Sequence, residues 1–63
     1  MNTLYTTQTC PKCRVAKIKL DQSNIPYEVY DLDLNENPGI SQVPTLKLED
    51  GRLLEFGDII EYT

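Results

Sequence analysis

The chain has no histidine, no tryptophan and only two cysteines among its 63 residues. A secreted domain of this size that depended on disulfides would carry roughly four or more cysteines. A structural zinc site needs about four ligands, so two thiols without an imidazole would have to be shared between two chains. No apolar run approaches the ~20 residues needed to span a bilayer, and residues 1–8 do not form a signal sequence. The chain therefore reads as cytoplasmic, with no membrane partner. An excess of positive charge is also missing. The formal net charge of −4 argues against nucleic-acid binding. There is no internal repeat, linker or low-complexity tract, so residues 1–63 read as a single small domain near the lower limit for folding on one core.

The residues that are present have an ordinary globular composition, 40% apolar and 25% charged. Their charge is unevenly placed. Lys12, Arg14, Lys17 and Lys19 supply four of the six basic residues, and residues 21–36 carry only acids. This basic window surrounds Cys13. It has two readings: a patch that lowers a thiol pKa and draws anionic partners, or the solvated face of a helix.

Residues 2–6 predict a short strand, and Thr9 lies in the N-cap region of a following helix. Pro11 suits the first helical turn, where its missing N–H leaves nothing unpaired. Over residues 11–20, Cys13, Ala16, Lys17 and Leu20 share one face, with Lys17 at its edge and Val15 and Ile18 widening the apolar side. Residues 21–24 end the helix ahead of Pro26. A second strand is predicted over 27–32, a loop over 33–42 and a third strand over 45–49. Asp50-Gly51 marks a two-residue hairpin turn into a strand at 52–55. A short helix follows over 58–62, with Ile59 and Ile60 available for burial. The order is β-α-β, loop, β-β-α. A right-handed crossover makes the first two strands parallel and starts the helix at the carboxyl end of the first strand, where ligands of open α/β sheets bind.

That junction holds Cys10-Pro11-Lys12-Cys13. Disulfide exchange needs an exposed thiolate to attack and a nearby thiol to resolve the mixed disulfide. Cys10, at the helix start, has free N–H groups and the positive end of the dipole beside it. Its pKa should fall below the usual value, helped by Lys12 and Arg14. Cys13 lies one turn on, along the apolar stripe, and should be sheltered, less acidic and resolving. The pair would close only a tiny loop as a staple, so structural stapling explains it poorly. The alternative is a non-enzymatic metal- or iron–sulfur-binding adaptor that shares the same cysteines across a dimer.

These residues resemble the glutaredoxin branch of the thioredoxin fold. The matching segments are Leu4-Tyr5 before Cys10-Pro11-Lys12-Cys13, Asn24-Ile25-Pro26-Tyr27-Glu28-Val29 and Val43-Pro44-Thr45-Leu46. The stretch from Asp50-Gly51 through Ile60-Glu61-Tyr62 is similar to the amino-terminal domain of glutathione transferases. The resemblance implies a dithiol oxidoreductase with no tightly bound cofactor and glutathione as co-substrate. It also implies a cis Val43–Pro44 bond facing the cysteines, with Val43 docking a bound thiol substrate through its backbone. On that reading Pro11, Lys12, Val43 and Pro44 are substrate-binding positions. The residue-level alternative is that Pro44 starts an edge strand. Gly57 and Asp58, at the start of the last helix, match the region that takes the γ-glutamyl end of glutathione. The alternative is that Asp58 is a helix cap. Phe56 departs from the pattern, standing where transferase-like chains have a small hydroxyl residue. Implied partners are protein disulfides, ribonucleotide reductase among them, and glutathione or a thioredoxin-reductase-type flavoenzyme as reductant, with the chain acting as a monomer.

The family's second helix has no counterpart here. A reduced thioredoxin fold is expected, with a four-stranded mixed sheet covered by helices on one face. The patterning agrees if Thr3, Tyr5, Thr45, Lys47 and Glu49 face water while Leu4, Val29, Leu46 and Leu48 face the helices. On that ground the short form is expected to be complete, with its tyrosines available for weak self-association.

Overall fold

The computed structural model describes residues 2–63. Its elements are β1 (Asn2–Thr6), α1 (Pro11–Gln22), β2 (Tyr27–Asp31), β3 (Thr45–Lys47), β4 (Leu53–Leu54) and α2 (Phe56–Tyr62). The strands form one mixed sheet in the order β2-β1-β3-β4. β1 runs parallel to β2 and antiparallel to β3, which is antiparallel to β4. The connection from β2 to β3 thus passes over one strand, as expected. Among the described residues, no helix is long and apolar enough to cross a membrane.

Each end of α1 is written in the sequence. Pro11 opens it, and Asn24 closes it in the left-handed region at φ 57. Ile25 N–H donates to Leu20 O at 3.0 Å and Asn24 N–H to Asp21 O at 3.1 Å. This pair of hydrogen bonds satisfies carbonyls of the last turn and suits asparagine after the cap. The N-cap is Cys10 rather than Thr9, because the Cys10 sulfur itself accepts from Cys13 N–H. The hairpin also differs from the two-residue turn. Leu48 N–H donates to Arg52 O at 2.8 Å and Gly51 N–H to Leu48 O at 2.9 Å, so Glu49, Asp50 and Gly51 form the loop. Gly51, at φ 95, supplies the left-handed residue that such three-residue loops need. The last helix starts earlier than 58, because Glu55 takes the cap and leaves β4 only two residues.

Both helices lie on one sheet face. The core there is Leu4, Ala16, Leu20, Leu46, Leu48 and Ile59, flanked by Ile25, Tyr27, Leu54 and Phe56. Burying one such side chain contributes ~1.5–3 kcal/mol. Three expectations about the faces are corrected. Val29 pairs with Leu4 on this face but is 51% exposed, because β2 is the sheet edge. Val15 and Ile18 are also exposed, so the buried stripe of α1 is only Cys13, Ala16 and Leu20. On the other face, Tyr5 and Thr45 are buried rather than wet. Tyr30 packs edge-on against Tyr5 at 5.3 Å between ring centroids, and its hydroxyl donates to Glu36 O at 2.7 Å. The 33–42 loop is thereby tied across this face, and Ile40 lines a hollow with Tyr5, Lys47 and Leu53. A loop stands in for part of the absent helix.

Candidate functional site

The site lies where β1 ends and α1 begins. Cys10 sits at the cap in extended conformation (φ −94, ψ 108), which aims its sulfur back at the first turn. Cys13 N–H donates to Cys10 Sγ at 3.3 Å. Cys10 is partly exposed, and Cys13 is 2% exposed beneath it. Both cysteines are free thiols.

These surroundings move the two thiols in opposite directions. Burial pushes Cys10 up, but hydrogen bonds from the Cys13 side chain, the Cys13 and Lys12 backbone N–H groups and the Lys12 charge outweigh it. The net result is a thiol below its ordinary value of 9.0. Cys13 is pushed up to about 11, chiefly by burial and then by donating a hydrogen bond from its thiol to the Cys10 sulfur. The backbone N–H of Thr7 and the Lys17 charge oppose that rise only in part.

The Val43–Pro44 peptide bond is cis, as the resemblance implied. It brings the Val43 carbonyl oxygen to 3.9 Å from Cys10 Sγ, and Pro44 is fully buried behind it. Val43 and Pro44 therefore join Cys10 although Val43 is 33 residues away in sequence. Pro11 and Lys12 are exposed on the first turn of α1. Gly57 and Asp58 lie exposed in the first turn of α2. Asp58 is not the N-cap, which is Glu55; it stands three residues on and accepts a long 3.4 Å hydrogen bond from Glu55 N–H, the reciprocal half of a capping box.

Two features were missed by sequence reasoning. The Lys12 ammonium lies over the Phe56 ring, 5.7 Å from its centroid, and this anchors the start of α2 beside the cysteine motif. The available signal was that Phe56 is the chain's one phenylalanine, placed at a helix start. The second feature is a cleft of about 210 Å³ lined by Thr7, Gln8, Cys10, Arg14, Lys17 and Asp31, among others. Asp31 enters it because parallel pairing sets Thr6 beside Asp31, a register that no local pattern encodes.

Comparison with known proteins gives a consistent answer. The glutaredoxin family model matches residues 2–51. A search of the curated proteins returned no significant match. Among solved structures, the thioredoxin-like protein BC3987 superposes with a TM-score of 0.76 at 24% identity, over 87% of this chain and 85% of its own. A mutant of the same protein gives 0.75 at 22% identity, over 87% and 84%. These two establish the fold alone, a minimal form of the thioredoxin-like α/β architecture. Glutaredoxin 2 from Salmonella typhimurium, solved in complex with glutathione, gives 0.74 at 30% identity, over 98% of this chain but 32% of its own. With a family match across most of its length, the chain belongs to the glutaredoxin family of thiol-oxidoreductase-like proteins.

Proposed function

We propose that this chain is a dithiol thiol–disulfide oxidoreductase that reduces protein disulfides or glutathione mixed disulfides. The observation that carries the reading is the opposed state of the two thiols. Cys10 is accessible and acidified at a helix cap, while Cys13 is covered and protonated one turn behind it. The Cys10 thiolate attacks one sulfur of a substrate disulfide, forming a mixed disulfide and expelling the other sulfur as a thiolate, which takes up a proton. Cys13 then loses its proton and attacks Cys10 Sγ. The second substrate thiol leaves, and Cys10 and Cys13 are oxidised to a disulfide by two electrons in all. Two glutathione molecules restore the dithiol and become glutathione disulfide. A reductase flavoenzyme is the other candidate donor.

In this scheme Val43 offers its backbone to the bound substrate chain and Pro44 holds that edge against Cys10. Pro11 and Lys12 shape the approach to the sulfur. Gly57 and Asp58 receive the γ-glutamyl end of glutathione, a placement supported by the Lys12–Phe56 contact that holds α2 at the motif. The proposed setting is a monomer in the cytoplasm.

The test is reduction of a small disulfide and of a protein disulfide by wild type, Cys10→Ser and Cys13→Ser. Cys10→Ser abolishes both activities. Cys13→Ser accumulates a mixed disulfide at Cys10, detected by mass spectrometry. Indistinguishable behaviour of the two variants would refute the division of roles.

A further inference from the structure

We infer that the outer face of α1 is a docking surface for the partner protein, and that it takes an acidic, partly apolar segment flanking the disulfide presented to Cys10. The inference rests on the redox reading above and adds the class of partner.

At ~3.6 residues per turn, Pro11, Val15, Ile18 and Gln22 fall on the side of α1 opposite its buried stripe. Val15 is 41% and Ile18 49% exposed. Isolated exposed apolar residues are ordinary, and these two need more than exposure to matter. Three features supply it. First, they are consecutive along one face, and that face begins at Pro11, next to Cys10. Second, both are β-branched, so at exposed helical positions they weaken the helix slightly instead of strengthening it. Third, they are framed by cations, with Arg14 on one side and Lys12 and Lys19 on the other.

The charge pattern selects the partner. In a chain of net charge −4, four of the six basic residues lie on this one helix. Its only acid is Asp21, at the far end, where it accepts from the Tyr27 hydroxyl at 3.0 Å. The acids Glu28, Asp31, Asp33 and Glu36 lie on β2 and the loop after it. Asp31 lines one cleft with Arg14 and Lys17, whereas Val15, Ile18, Lys12 and Lys19 lie off that cleft, so an acidic segment is drawn to the outer face of α1 and repelled on the β2 side. The reach also fits. Cys10 and Ile18 are about 12 Å apart along the axis, which about four residues of an extended partner chain span.

The test uses two synthetic peptides with the same internal disulfide and the same leucines beside it, one carrying glutamates between them and the other lysines. At low salt, wild type reduces the acidic peptide roughly tenfold faster, and the advantage fades at high salt. Lys19→Glu shrinks it roughly two- to fivefold. Val15→Ser/Ile18→Ser raises KM for both peptides and leaves hydroxyethyl disulfide reduction unchanged. A cysteine-free version of the acidic peptide shifts the amide resonances of residues 14–19. Equal rates for the two peptides, with hydroxyethyl disulfide still reduced, overturn the docking surface and leave the redox function standing. No reduction of any disulfide removes the redox function, and the resonance titration then decides the surface. Shifts away from α1, or a response only to vesicles of anionic lipid, overturn it.

Discussion

At the scale of single residues, the two thiols make opposite contributions to stability as pH changes. Cys10 is more acidic folded than unfolded, so its contribution is complete above 9.0 and is lost as pH falls through the folded value. Cys13 is less acidic folded than unfolded, so its contribution is complete below 9.0 and is lost as pH rises towards about 11. That interval corresponds to about 2–3 kcal/mol. Denaturant titrations of the reduced protein are expected to show a decline between 9.0 and about 11 that Cys13→Ala removes. The variant isolates the thiol from Tyr27, whose hydroxyl is also pushed up by burial and by Asp21. Alkylation supplies a second check. Lys12→Gln moves the Cys10 titration upward by deleting a favourable charge, whereas Lys12→Arg keeps it. An unmoved titration in Lys12→Gln would leave the hydrogen bonds from the Cys13 side chain and from the Cys13 and Lys12 N–H groups as the source of the acidity. The spacing of Cys10 and Cys13 made these roles legible, because a cap and the next turn are local facts of an α-helix. Asp31 beside them was not legible, because strand pairing placed it there.

Of the two helices, α2 is the shorter and rests on a single buried side chain. It is seven residues long, too short to persist alone, and its one fully buried side chain is Ile59. Ile59→Ala is expected to cost ~2–5 kcal/mol. A chain of this length has a total stability of ~3–9 kcal/mol, so the variant should be marginal in chemical denaturation, with Ile59→Val losing only ~0.5–1.5 kcal/mol. Asp58 separates structure from binding at the other end of the same helix. Asp58→Ala removes the acceptor for Glu55 N–H and the favourable charge of the first turn, a loss of about 0.3–1 kcal/mol. Asp58→Asn keeps an acceptor and removes the charge. A role in glutathione recognition predicts a higher KM for glutathione in both variants. A purely capping role predicts none in Asp58→Asn. Sequence patterning located α2 two residues late because Glu55 is an unusual cap, whereas the polar run 21–24 ahead of Pro26 and the Asp50-Gly51 pair marked the end of α1 and the hairpin by residue type.

Over the whole molecule, the question is how a sheet missing one covering helix stays compact. A folded chain of 63 residues has an expected radius of gyration of about 10.6 Å, and the observed value is 10.5 Å. The loop meets the uncovered face at two places, the Tyr30 hydroxyl on Glu36 O and the hollow that Ile40 lines with Tyr5, Lys47 and Leu53. Alternation alone assigned Tyr5 and Thr45 to water, since period-two patterning reports which face a residue is on and is silent about what lies over that face. Likewise it assigned Val29 to the core, where only its position on the edge strand leaves it half uncovered. The device that closes the second face is Tyr30, through its ring on Tyr5 and its hydroxyl on Glu36 O. The two contributions separate by substitution. Tyr30→Phe deletes the hydrogen bond and should cost ~0.5–1.5 kcal/mol. Tyr30→Ala also deletes the aromatic pair, adding ~0.5–1.5 kcal/mol beyond lost burial. Hydrogen exchange gives the spatial test: amides of residues 34–40 lose protection in both variants, and more in Tyr30→Ala. Amides of β1 and β3, held by pairing on both sides of the ladder, keep theirs up to the limit set by global unfolding. Uniform loss across loop and sheet would mean that the loop has no separate opening, and that Tyr30 stabilises the fold as a whole instead of fastening a cover over Tyr5.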